Sequence, residues 1–280
     1  KSGAVWENFI DTSLDENGVL KEIHFHNEDK FNFAFDVVDA LAEKCPDKLA
    51  MLHLDAEKHE RLFTFRDMSR YSSMTANYFK SLGIGKGDHV TICMPNCPQA
   101  VDSFYALNRI GAISNMIHPL SAAGEIRHYL DFSHSKAILT LDQFYTKVAS
   151  VMPELQNSDC KLLLARIQDE LPLALAVGYD LTKARKYPAP PRRGNYIWWS
   201  EFMRMGRRKN LPLPKKLPAA NDCASILYSG GTTGTTKGIM LSNLNFNALG
   251  LQTIAASGFA PIDGMKMLSV MPVFHGFGLG

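Results

Sequence analysis

The chain has 280 residues, of which 46% are hydrophobic, enough for one large domain or two modest ones with a real core. Thirty Lys and Arg against 28 Asp and Glu leave a net charge of +2, so no overall field argues for nucleic acid or an anionic surface. No apolar run reaches the roughly 18 residues of a membrane-spanning helix.

Residues 34–45 place Phe35, Val38, Leu41, Ala42 and Cys45 on one helical face, and Pro46 stops the run. A second helix follows Thr64, with Met68, Tyr71, Thr75, Tyr78 and Leu82 along one side. Gly83 stands where a left-handed residue would end it. Residues 89–94 read as a short strand closed by Pro95. A helix over 99–109, a strand over 113–117, a helix over 124–132, a strand over 136–141, a helix over 143–152 and a strand over 161–165 follow. Strand, helix, strand at this rhythm predicts an α/β fold with a mostly parallel sheet covered by helices.

The stretch 183–218 breaks the rhythm, with six of the fourteen prolines and eleven Lys or Arg against one acid, Glu201. It reads as a solvated connector between two α/β units. A sharper reading is a peripheral contact with anionic lipid or an acidic partner, in which Trp198, Trp199 and Phe202 would take part. Beyond it, strands are expected over 224–228, 239–241 and 266–271, with Ser242 capping the helix after the second.

Five cysteines (Cys45, Cys93, Cys97, Cys160, Cys223) are odd in number and scattered through apolar stretches, which suits reduced thiols in a cytosolic protein. Cys93 and Cys97 are spaced too widely for a CxxC pair, and no zinc-finger spacing follows. His24 and His26 would share one strand face, but no third ligand is near in sequence. They read as surface histidines, and no metal site is expected.

Residues 228–238 read Tyr-Ser-Gly-Gly-Thr-Thr-Gly-Thr-Thr-Lys-Gly. Gly230, Gly231 and Gly234 let the backbone fold tightly and aim successive N–H groups at one point. Ser229, Thr232, Thr233, Thr235 and Thr236 add hydroxyl donors, and Lys237 adds a compact positive charge. Gly238 closes the run. Together they describe a polyanion cradle directly after a strand, where α/β folds bind ligands. The spacing is not that of a Walker loop, because Lys237 follows Thr236 and precedes Gly238, and the dinucleotide fingerprint is absent.

This run resembles the signature of the adenylate-forming superfamily, whose members include acyl-CoA synthetases, luciferases and non-ribosomal adenylation domains. Tyr228, Gly231, Thr232, Thr233, Gly234, Lys237 and Gly238 match it; Thr236 replaces the usual Pro, and Gly230 replaces the common Ser. The Gly230-Gly231 form is similar to the long-chain fatty acyl-CoA synthetase version. The likeness extends along the chain through 62–68, 85–90, Met94-Pro95-Asn96, 111–115, Pro119-Leu120, Glu125-Ile126 and 241–245, with Asn243 where His is common. Residues 271–278, Met-Pro-Val-Phe-His-Gly-Phe-Gly, resemble the motif that borders the acyl pocket.

The resemblance implies ATP-dependent activation of a carboxylic acid, a medium- to long-chain fatty acid, to an acyl adenylate and its transfer to coenzyme A. That is the chemistry of an AMP-forming acid–thiol ligase. Its phosphate-binding residues would be Ser229, Gly230, Gly231, Thr232, Thr233, Gly234, Thr235, Thr236, Lys237 and Gly238, with Mg²⁺ carried on the phosphates. His275 and Phe277 would face the substrate. Read alone, a His after an aromatic is more often a packed core residue. Gly276, Gly278 and Gly280 read as close packing. The family's adenine motif, ribose-binding Asp and catalytic Lys are not found among these residues. The organisation expected is a first α/β subdomain with an N-terminal extension over 1–182, a connector over 183–218, and the start of a second subdomain over 219–280. That makes the chain an incomplete N-terminal domain, inactive alone, whose parent is the enzyme. A fatty acyl-AMP ligase, another acyl or aryl adenylating enzyme, and a non-catalytic phosphate-binding module share the same loop.

Overall fold

The computed structural model describes residues 10–26, 30–55, 58–170, 176, 188–209, 215, 220–229, 236–257 and 264–279. Its centre is a sheet of seven strands. In spatial order they are β11 (Lys237–Ser242), β10 (Cys223–Ser229), β6 (Ile113–Met116), β5 (His89–Cys93), β7 (Ala137–Leu141), β8 (Lys161–Ala165) and β9 (Ile197–Trp198). Every neighbouring pair is parallel except β10 with β11. Two hairpins stand apart from it: β1 (Ile10–Leu14) with β2 (Leu20–Phe25), and β3 (Leu49–Leu54) with β4 (Glu60–Thr64).

Strand alternation sends successive side chains to opposite faces, and both faces are apolar. Val90, Ile92, Leu139 and Leu163 join one cluster with Phe79 of α2 (Phe65–Ser81), Leu107 of α3 (Pro98–Arg109) and Phe202 of α6 (Trp199–Lys209). Cys93, Ile138, Leu162 and Leu164 join the other with Leu130 of α4 (Ala123–Ser133) and Val148 of α5 (Tyr145–Val151). The mostly parallel, doubly covered α/β fold expected from the strand–helix rhythm is therefore present.

Local chemistry accounts for the helix ends. Thr64 and Asp67 form a reciprocal capping box at the start of α2. Gly83 ends that helix at φ +82°, a conformation that favours glycine. Ser242 accepts from the Asn245 amide at 3.2 Å as the N-cap of α7 (Asn243–Ser257). Residues 34–45 depart from plain α-helix: Ala34–Asp39 is a π-helix running into α1 (Ala40–Lys44). There Asp39 meets Arg109, whose side chain is 1% exposed. The guanidinium donates to Asp39 Oδ2 at 2.7 Å and Oδ1 at 2.5 Å, and to Ser72 Oγ at 3.0 Å.

Two expectations are corrected. The stretch 183–218 is not solvated throughout, because it carries β9 and α6, and Trp199 and Phe202 are buried in the core. Strands from before and after it share one sheet, with Ser225 of β10 opposite Ser114 of β6. Residues 266–271, expected as a strand, form none, because no described strand pairs with them; Met267 and Leu268 are 89% and 80% exposed. Asn243, in the position where the family commonly has His, is buried and accepts from Asn108 Nδ2 at 2.7 Å. Among the described residues no helix is long and apolar enough to cross a membrane.

Candidate active site

Because β5, β6 and β10 run parallel, their carboxyl ends lie on one edge of the sheet. Three places lie along it: residues 94–96 after β5, residues 117–119 after β6, and the paired ends Ser229 of β10 and Lys237 of β11. Such an edge is where an open α/β sheet holds ligands.

Ser229 and Lys237 are the last antiparallel partners of the β10–β11 hairpin, so the two ends of the Gly/Thr run stand opposite each other. Lys237 is exposed, and Thr236 and Gly238 are partly buried. A Cβ on Gly238 would lie 3.2 Å from Ile226 and 3.4 Å from the Phe132 ring, so the strand packs closely there. Gly230, Gly231, Thr232, Thr233, Gly234 and Thr235 lie outside the described residues. Tyr228 turns away from the edge onto Tyr129 of α4, with ring centroids 4.3 Å apart, and burial pushes its hydroxyl up to about 12.

The 271–279 segment is folded over the same edge. Asn96 donates from Nδ2 to the Met271 carbonyl at 2.9 Å and accepts from the Val273 amide at 2.8 Å. The His118 ring packs on Phe274 with centroids 4.5 Å apart. Lys147 of α5 donates to the carbonyls of Pro119 at 3.0 Å and Ser121 at 2.8 Å, holding the loop that presents His118. A Cβ on Gly276 would meet Leu227 of β10 at 3.6 Å, so the segment reaches the strand that leads into the loop.

His275 and Phe277 both lie on this segment, in or beside the single-turn α8 (Gly276–Leu279), and both are exposed. The structure does not make His275 a core residue. Its Nδ1 accepts from the Phe277 amide at 3.3 Å, which leaves Nε2 as the proton-bearing nitrogen of the neutral ring. A Cβ on Gly278 would lie 2.2 Å from the Pro272 carbonyl oxygen and 2.6 Å from that of Met271. The close-packing reading of this glycine therefore has a geometric cause; Gly280 lies outside the described residues.

Sequence reasoning missed the roles of Asn96, His118 and Lys147. In the sequence Asn96 stands out only as part of a family-like tripeptide, and no periodicity marks a side chain that pairs with a backbone 175 residues away. His26 pairs with Asp11 and His24 with Glu22. Among the described residues no group of three His, Cys, Asp or Glu is placed to hold a metal ion.

The chain is similar to known proteins over most of its length. A long-chain-fatty-acid–CoA ligase of Bacillus subtilis is 31% identical over 240 residues, covering 85% of this chain and 41% of its own length. Acetyl-coenzyme A synthetase 2 of Eremothecium gossypii is 29% identical over 215 residues, covering 75% of this chain and 29% of its own. The crystal structure of a long-chain-fatty-acid-CoA ligase from Archaeoglobus fulgidus superposes with a TM-score of 0.67 at 25% identity, over 96% of this chain and 47% of that one. The chain thus spans less than half the length of these relatives. The AMP-binding enzyme family matches from residue 38 to residue 280, through the sheet, the loop and the 271–279 segment alike, and the chain belongs to that family.

Proposed function

We propose that these residues form the phosphate-gripping and acid-facing part of an AMP-forming ligase that activates a fatty acid of medium to long chain and passes it to coenzyme A. The observation that carries this reading is the shared sheet edge. The Ser229–Lys237 hairpin mouth and the His275–Phe277 segment lie on it together, tied through Leu227 and Asn96. The names of the relatives support the class of reaction.

In the first half-reaction a carboxylate oxygen attacks the α-phosphorus of ATP. The bond to the bridging oxygen breaks, and pyrophosphate leaves with that electron pair. The thiol of coenzyme A, losing its proton, then displaces AMP. A carboxylate is a poor acyl donor and AMP a good leaving group, so activation comes first. Lys237 and the loop hydroxyls would hold the β- and γ-phosphates and stabilise the charge that gathers on pyrophosphate. Mg²⁺ would enter on phosphate oxygens, its usual mode. Nε2–H of His275 would donate to the carboxylate, and the exposed Phe277 ring would meet the acyl chain.

The test uses a protein that joins these residues to the family's adenine-, ribose- and lysine-bearing segments. Each buried methylene adds about 0.8 kcal/mol, so kcat/KM for acyl-CoA formation rises with chain length from acetate through medium-chain acids. A preference for acetate or an aromatic acid would refute the fatty-acid assignment. Adenylate formed without any transfer to coenzyme A would favour an acyl-AMP ligase instead.

A further inference from the structure

Asn96 is an exposed side chain just past the carboxyl end of β5. It gives one backbone segment both a donor and an acceptor, bonding the Met271 carbonyl and the Val273 amide on either side of Pro272. A neighbouring strand would offer the same pattern. A primary amide supplies it from two adjacent atoms of one side chain; a carboxylate cannot donate, and an aliphatic group can do neither. Both bonds are solvent-exposed, so water replaces them at little cost to global stability. Their consequence is positional. His275 donates its amide to the Pro272 carbonyl, so the turn that carries His275 and Phe277 starts from the residues that Asn96 grips.

We propose that Asn96 is a positioning residue for the acid subsite, setting the height of His275 and Phe277 over the sheet edge without touching substrate. The role in turnover rests on the ligase reading above; the tether itself does not. The packing of His118 on Phe274 fixes the rotation of the same segment, and Asn96 fixes its distance from β5.

Two measurements decide it. In the 280-residue chain, hydrogen exchange at the Val273 amide accelerates about tenfold in Asn96→Ala, the loss of one hydrogen bond. It stays slow in Asn96→Asp, which keeps the acceptor, and amides of β5 and β7 do not change in either variant. In the complete ligase, Asn96→Ala raises KM for the carboxylic acid about tenfold while KM for ATP and Tm hold. Unchanged Val273 exchange overturns the tether. Equal shifts in both KM values, or a fall in Tm that accounts for the activity loss, overturn the positioning role. A wild-type protein that forms no adenylate overturns the ligase reading alone, because the exchange pattern reports on Asn96 without turnover.

Discussion

Placing a methyl group on Gly278 should detach the 271–279 segment from the sheet edge without unfolding the domain. The new Cβ would lie 2.2 Å from the Pro272 carbonyl oxygen and 2.6 Å from that of Met271, both backbone atoms. Relief needs a shift of roughly an ångström in a backbone that Asn96 holds on both sides of Pro272. Overpacking of this kind costs ~1–3 kcal/mol. The restraints that oppose release are two exposed hydrogen bonds at ~0.5–1.5 kcal/mol each, one aromatic pair of similar worth, and the partial packing of Val273, Phe274 and Leu279 against the core. The overpacking cost falls on this segment alone and is small beside the ~5–15 kcal/mol of a whole domain. The segment yields first. Amide exchange in Gly278→Ala should rise roughly 5- to 150-fold at Val273, Gly278→Ala itself and Leu279, while β5, β7 and β8 stay protected and Tm holds. A fall in Tm with exchange rising throughout the sheet would refute this reasoning, and so would an unchanged exchange profile.

Asp39→Ala should cost ~3–5 kcal/mol in urea unfolding, because it strands the buried Arg109 guanidinium with Ser72 as its remaining hydrogen-bond partner. A cost below about 1 kcal/mol would mean that water reaches the guanidinium and the pair is not needed. Asp102 gives a pH-dependent case: burial raises its carboxyl from 3.8 to about 7, against the pull of Arg61. The folded chain binds this proton more tightly than the unfolded chain, so the contribution is present below the unfolded value and is lost as pH rises from 3.8 to about 7. Asp102→Asn should thus raise Tm near pH 8 and leave it unchanged near pH 4; equal shifts at both would contradict the burial argument.

Residues whose neighbours are local or periodic were legible in the sequence. Short, near-continuous apolar runs at 89–93, 137–141 and 161–165 mark strands buried on both faces, and Thr64 and Gly83 mark the two ends of α2 through their own chemistry. The density of Gly and Thr between Ser229 and Lys237 marks a loop, and the structure adds that its ends stand as cross-strand partners. Long-range packing was not legible. Prolines and basic residues around α6 concealed that Trp199 and Phe202 insert into the core, because the period of a short helix is lost among so many charges. Residues 266–271 resemble a strand in composition, but a strand exists only where a partner takes its hydrogen bonds, and no strand forms over 266–271. Asn96 belongs to the same class: its function comes from what lies 175 residues away.

The central claim is that the Ser229–Lys237 hairpin holds the phosphates of ATP. The most direct measurement is carboxylic-acid-dependent exchange of labelled pyrophosphate into ATP by the complete ligase and its Lys237→Ala variant. Loss of one charged phosphate contact costs ~1.5–3 kcal/mol, so the variant should exchange roughly ten- to a hundredfold more slowly with its fold and Tm intact. Exchange at a near-normal rate in Lys237→Ala would contradict the account.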